Sequence, residues 1–185
     1  MRALAAKWYQ AGADGVYVWN LGTPFEYKIG DELLRIRQKA YACLDEIGDP
    51  KALVGKDKLY GSDGPVFHYY TFVSGEPPLP LLLEPGEAQK VSLQIGDDVE
   101  AAAKNGSLAQ LKLSMKLEGP VRRESLVFQL NGEDLTSDAV VDQDGEKLRI
   151  TYLLLDGPPL RQGTNVLEAS LKEAAPAAEK PLKLT

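Results

Sequence analysis

Two periodicities divide the chain. Up to about residue 54 apolar positions recur at helical intervals, and from Val66 they alternate between turn residues. Leu4, Trp8 and Ala11 share a helical spacing, which predicts a helix over 1–11 that has no capping residue ahead of it and is ended by Gly12. Gly15-Val16-Tyr17-Val18-Trp19-Asn20 is apolar on both sides, as expected of a strand in a parallel sheet covered on both faces. Such a strand needs neighbours. Residues 21–30, with Gly22 and Pro24, read as a loop, and Asp31 reads as an N-cap with Glu32 in the first turn. The helix that follows places Leu33, Ile36, Ala40, Leu44 and Ile47 on one stripe, with Leu34 and Tyr41 beside it and Arg35, Gln38 and Lys39 outward. Gly48 is expected to close it in the left-handed conformation, and Asp49-Pro50 to cap a short turn through about Val54. Glycine-bearing residues 56–65 form the natural boundary.

Beyond that boundary the alternation predicts an antiparallel β-sandwich, jelly-roll or Ig-like. Strands are expected over 66–73, 79–83, 90–95, 110–117, 125–130, 139–142, 147–154 and 165–171, with a further edge strand over 182–184. The clearest alternation sets Leu111, Leu113, Met115 and Leu117 against Lys112, Ser114, Lys116 and Glu118, one core face and one wet face. A short helix over 97–104, opened by Asp97 or Asp98, interrupts the series. Asn131-Gly132 and Asp144-Gly145 are turn dipeptides, the second placed as a hairpin. The whole is therefore an α+β chain, with a helix–strand–helix unit over 1–60 and a sandwich over 61–185.

Composition narrows the function classes. The 185 residues carry a net charge of −6 with Lys and Arg scattered, which argues against counterion release from nucleic acid. No run approaches the roughly 18 apolar residues needed to span a bilayer, and no membrane partner is expected. Cys43 is the single cysteine and His68 the single histidine, so an internal disulfide and multi-cysteine or multi-histidine metal sites are excluded. Cys43, between Ala42 and Leu44, reads as a core thiol. Asp97-Asp98-Val99-Glu100 lacks the glycine-centred loop of a calcium site and reads as a helix start. No metal or cofactor is called for.

The run Trp8-Tyr9-Gln10-Ala11-Gly12-Ala13-Asp14-Gly15-Val16-Tyr17-Val18-Trp19-Asn20 resembles the closing part of glycoside-hydrolase-like (β/α)8 barrels of large bacterial proteins, where a helix leads into a late barrel strand. Leu44-Asp45-Glu46-Ile47-Gly48-Asp49-Pro50, leading to Lys56-Asp57-Lys58-Leu59-Tyr60, is similar to the final barrel helix and exit segment of that group. Phe128-Gln129-Leu130-Asn131-Gly132 and Gly163-Thr164-Asn165-Val166-Leu167 are similar to turns of jelly-roll sandwiches attached to glycosidases. The second likeness also has a purely local explanation, since Asn and Gly serve strand ends whether or not a sugar binds.

The resemblance implies a C-terminal fragment of a glycoside hydrolase: the remnant of a TIM-type barrel whose remainder is absent, followed by an accessory sandwich. Glycoside hydrolysis needs two carboxyl groups across the scissile bond, and in a barrel they stand at the C-terminal ends of several strands. One candidate strand is present, so no catalytic residue is assigned and the chain alone is expected to be inactive. Trp19 is the candidate to stack on a sugar ring and Asn20 to bond a hydroxyl, with Glu26 in the following loop; packing and strand-end roles explain Trp19 and Asn20 equally well. Two alternatives remain: a carbohydrate-binding module, which requires Tyr69, Tyr70, Phe72, Phe128 or Tyr152 to be exposed, and a structural or interaction sandwich. The expected partners are carbohydrate, the missing barrel portion, or a second copy through the N-terminal unit.

Overall fold

A computed structural model of the chain describes residues 1–18, 35, 38, 41–62, 78–120, 123–135, 139–154, 160–172 and 181–185. The first helix, α1 (Arg2–Gln10), is ended by Gly12 at φ +95, as its glycine predicts. Its buried residues are the small ones, Ala3, Ala5 and Ala6, while Leu4 and Trp8 of the apolar stripe are exposed. Residues 15–18 pair with no strand among the described residues; Val16 and Val18 pack on a small cluster of Ala5, Ala6, Ile47 and Leu53, and Tyr17 is 78% exposed. Arg35, Gln38 and Tyr41 are helical, and a turn at 42–43 precedes α2 (Leu44–Ile47).

Several local expectations need correction here. Gly48 closes α2 at φ −79, in the ordinary helical region, because the chain turns directly into the 3-10 helix Pro50–Leu53; the left-handed glycine is Gly55, φ +71. Leu44 and Tyr41 are exposed rather than docked, and Ile47 alone of the described stripe is buried. Cys43 is half-buried at the start of α2. Asp49 does cap the 3-10 helix, accepting from Lys51 N at 2.9 Å.

The rest is a mixed α+β arrangement dominated by two antiparallel sheets packed face to face. One sheet contains β1 (Leu81–Leu83), β3 (Lys112–Glu118), β6 (Ala139–Asp144), β7 (Lys147–Leu153) and β9 (Leu182–Leu184), in the order β1-β9-β3-β7-β6. The other contains β2 (Ala88–Ile95), β4 (Leu126–Leu130), β5 (Glu133–Asp134) and β8 (Gly163–Leu171), in the order β2-β8-β4-β5. The pairings β1–β9, β2–β8, β3–β7 and β4–β5 are nested, like one long antiparallel ribbon folded over itself. Only β6 stands outside that nesting, added on the far side of β7.

Each strand sends alternate side chains between the sheets, as the pleat dictates. Met115 and Leu117 of β3, Leu148, Ile150 and Tyr152 of β7, and Phe128 and Leu130 of β4 form the centre of the core. The strand expected over 66–73 lies outside the described residues. Asn131 (φ +55) and Gly132 (φ +85) make the two-residue turn between β4 and β5, and Gly145 (φ +60) with Glu146 joins β6 to β7. The short helix is α3 (Val99–Lys104), and Asp98 rather than Asp97 is its cap, accepting from Ala101 N at 2.9 Å.

Candidate functional site

Trp19, Asn20 and Glu26 lie outside the described residues, as do His68, Tyr69, Tyr70 and Phe72. The polar chemistry among the described residues gathers in three places. The first is the junction between the helical segment and the sandwich. Lys58 and Tyr60 are half-buried, while Leu59 between them is 90% exposed. Both half-buried groups meet Asp97: Lys58 Nζ lies 2.9 Å from Oδ1, and the Tyr60 hydroxyl donates to Oδ2 at 2.9 Å. Lys58 also donates to the carbonyls of Leu53 and Lys56, and its side chain is only 3% exposed. Burial, then the Asp97 charge, pushes the Tyr60 hydroxyl well above its ordinary range, so it stays a donor. Above this clasp, α1 rests on Gly96, where an added Cβ would fall 2.4 Å from the carbonyl carbon of Ala6.

The second place is a pair of asparagines. Asn165 is fully buried and uses both ends of its amide: Oδ1 accepts from Arg161 N (2.9 Å) and Asn131 Nδ2 (2.8 Å), and Nδ2 donates to the carbonyls of Arg161 (2.7 Å) and Gly163 (3.1 Å). Asn131 Oδ1 accepts from Val166 N at 2.9 Å. The amide therefore fixes the loop entering β8 to the β4–β5 turn. The Asn131-Gly132 turn and the Gly163–Leu167 stretch form one structural staple, and the buried Asn165 amide is fully occupied by protein partners.

The third is the Arg123 guanidinium, which donates to the Leu126 carbonyl (3.0 Å) and the Tyr152 hydroxyl, and lies 5.8 Å from the ring centroids of both Phe128 and Tyr152. Burial raises the Tyr152 hydroxyl and Arg123 opposes that rise. Phe128 and Tyr152 pack edge to face, centroids 6.4 Å apart, and are 2% and 0% exposed. Neither can serve as a sugar platform. The acidic run divides its tasks: Asp97 clasps, Asp98 caps, and Glu100 pairs with Lys104 at 2.6 Å. Among the described residues no cluster of His, Cys, Asp and Glu is placed to hold a metal ion, and no helix is long and apolar enough to cross a membrane.

Sequence reasoning missed Lys58, Tyr60, Gly96 and Arg123. The acceptor that Lys58 and Tyr60 share is a tertiary feature and left no mark in the sequence. No protein-family model matches the chain, and no curated protein sequence matches it.

Proposed function

We propose that the chain is the closing α/β segment and accessory sandwich of a glycoside-hydrolase-like barrel protein, not catalytic by itself. The observation that carries this reading is the double use of α1. Its alanine face and backbone lie against the sandwich at Gly96 and the small cluster at Ile47 and Leu53, while Leu4 and Trp8, its bulkiest apolar residues, are 45% and 37% exposed on the other side. A helix apolar on two sides is one that packs between two layers. In a barrel protein each helix packs on its strand, and residues 15–18, which have the composition of such a strand, put Val16 and Val18 on the alanine side of α1; the layer over Leu4 and Trp8 would be a further one. The nested pairing of the sandwich supports its jelly-roll form within this reading.

The test extends the reading frame upstream of Met1 and assays the longer protein and the chain itself on soluble oligosaccharides and aryl glycosides. Further β/α units upstream, turnover by the longer protein and none by the chain are expected. Absence of such units, or turnover by the chain alone, overturns the proposal.

A further inference from the structure

The sandwich carries a strand its ribbon does not account for. Sheet β1-β9-β3-β7-β6 has five strands and its partner sheet four, and β1 packs beside β2, so β6 lies at the rim where the second sheet ends in the two-residue β5. Register assigns Val141 and Gln143 to the face that should be inward, opposite the buried Ile150 and Leu148, yet both are exposed. On the outer face Val140 is 73% exposed.

Asp144 and Lys147 flank a two-residue turn and so exchange backbone hydrogen bonds. By alternation Val140, Asp142 and Asp144 bond β7, and the N–H and C=O groups of Ala139, Val141 and Gln143 point away from it. Among the described residues no strand pairs on that side. Carboxylates are the edge's one protection of the usual kind: β6 contains no Lys, Pro or Gly, and its register runs from 139 to 144 without a bulge. Its charges are carboxylates. Asp142 and Asp144 on β6, with Glu133 and Asp134 on β5, are all exposed; Arg149 and Lys147 stand across from Asp142 and Asp144 on β7, but among the described residues neither Asp142 nor Asp144 is in an ion pair.

We infer that β6 is a docking edge for a basic extended protein segment, which adds to the sheet as a further strand. Its backbone meets Ala139, Val141 and Gln143, its apolar side chains cover Val140 and Val141, and its Lys or Arg residues stand beside Asp142 and Asp144. A second copy is disfavoured as the occupant, because edge-to-edge pairing crowds the carboxylates of both copies.

The intact chain is titrated, with its amides followed by NMR, against a short peptide of alternating Lys and Val and against its Glu and Val counterpart. The Lys peptide is expected to move the amides of 139–144. Asp142→Lys with Asp144→Lys should weaken it roughly tenfold, about the worth of two rim charges. Val141→Pro should abolish binding while keeping the β6–β7 ladder, since the lost N–H points outward. Unchanged melting of both variants shows that they fold. Equal binding of the Glu peptide, undiminished binding to Val141→Pro, shifts elsewhere than β6, or self-association through β6 would each overturn the inference.

Discussion

Gly96→Ala is the most direct probe of how α1 is seated. An added Cβ would lie 2.4 Å from the carbonyl carbon of Ala6 and 2.6 Å from both its oxygen and Lys7 N, all backbone atoms that no rotamer change can move. Carbon contacts are comfortable at about 3.5–4.0 Å, so the helix must retreat by roughly 1 Å, and a gap of that size forfeits a quarter to a half of each dispersion contact it opens. Overpacking of this kind costs about 1–3 kcal/mol. Because Gly96 is not in the left-handed region, alanine also recovers about 0.4–1 kcal/mol by narrowing the unfolded ensemble. The balance is a loss of about 1–2 kcal/mol, or a fall in Tm of roughly 2–8 °C for a chain of this size. Thermal melting reads the total, and hydrogen exchange locates it: amides of α1 should lose protection while those of β3 and β7 keep theirs. An unchanged or raised Tm with α1 protection intact would refute the backbone contact between α1 and the sandwich.

Asp97→Ala removes the acceptor shared by Lys58 and Tyr60 and leaves a Lys side chain only 3% exposed without its counter-ion; about 1–3 kcal/mol should be lost in urea unfolding, after allowing for the 34% exposure of Asp97. Tyr60→Phe, which leaves the ion pair, should cost about 1 kcal/mol in the same assay. Asn165→Asp keeps the acceptor but cannot donate to Arg161 and Gly163, so melting should show it less stable than the native chain, and more so at neutral pH than near pH 4, where a buried carboxyl is neutral. Glu46 is held below its ordinary value chiefly by the Arg2 hydrogen bonds, with Lys56 adding at 3.4 Å. Its folded value is the lower one, so its stabilisation is complete above about pH 4.3 and is lost as pH falls through the folded value. An NMR titration should place its midpoint below the ordinary Glu range, and Arg2→Met should raise it.

The sandwich was legible wherever a local rule and the tertiary environment ask for the same thing. Leu113, Met115 and Leu117 alternate because one face of β3 meets the core, and Asn131-Gly132 makes a turn because both residues must take positive φ, though the short β5 that follows it was not expected. Strand order was not legible, since the alternation of Leu182 and Leu184 says that β9 has a buried face but not that it enters between β1 and β3. In α1 the spacing of Leu4 and Trp8 suggested a core-facing stripe, and the described contacts chose the alanines instead, because only small side chains let helix and sandwich backbones meet at Gly96. Gly48 failed as a left-handed cap because the turn into Pro50–Leu53 continues in the right-handed region. Lys58 and Tyr60 read as part of an exit segment and Asp97 as a possible helix cap; only the fold brings 58–60 and 97 together.

The two parts of the chain differ in how they hold themselves. The described members of the sandwich core form one cluster, ranging from Leu79 to Leu184 and drawn from both sheets, so removal of any single polar feature should leave it folded. Among its described residues the helical segment buries only Ala5, Ala6, Ile47 and Leu53 in its own cluster, a small apolar area beside that of the sandwich core. It meets the sandwich at Gly96 and through the Asp97 clasp, and is tied within itself by the Arg2–Glu46 pair and by the Tyr9 hydroxyl donating to the Ile47 carbonyl at 3.0 Å. Directional polar contacts set position well but contribute little net energy, so this segment is oriented more strongly than it is stabilised. Burial of Leu4 and Trp8 by a second layer would supply about 1.5–3 kcal/mol for each side chain if its burial were complete, and less from their present partial exposure. That gain would fall on the part of the described molecule that buries least in a cluster of its own.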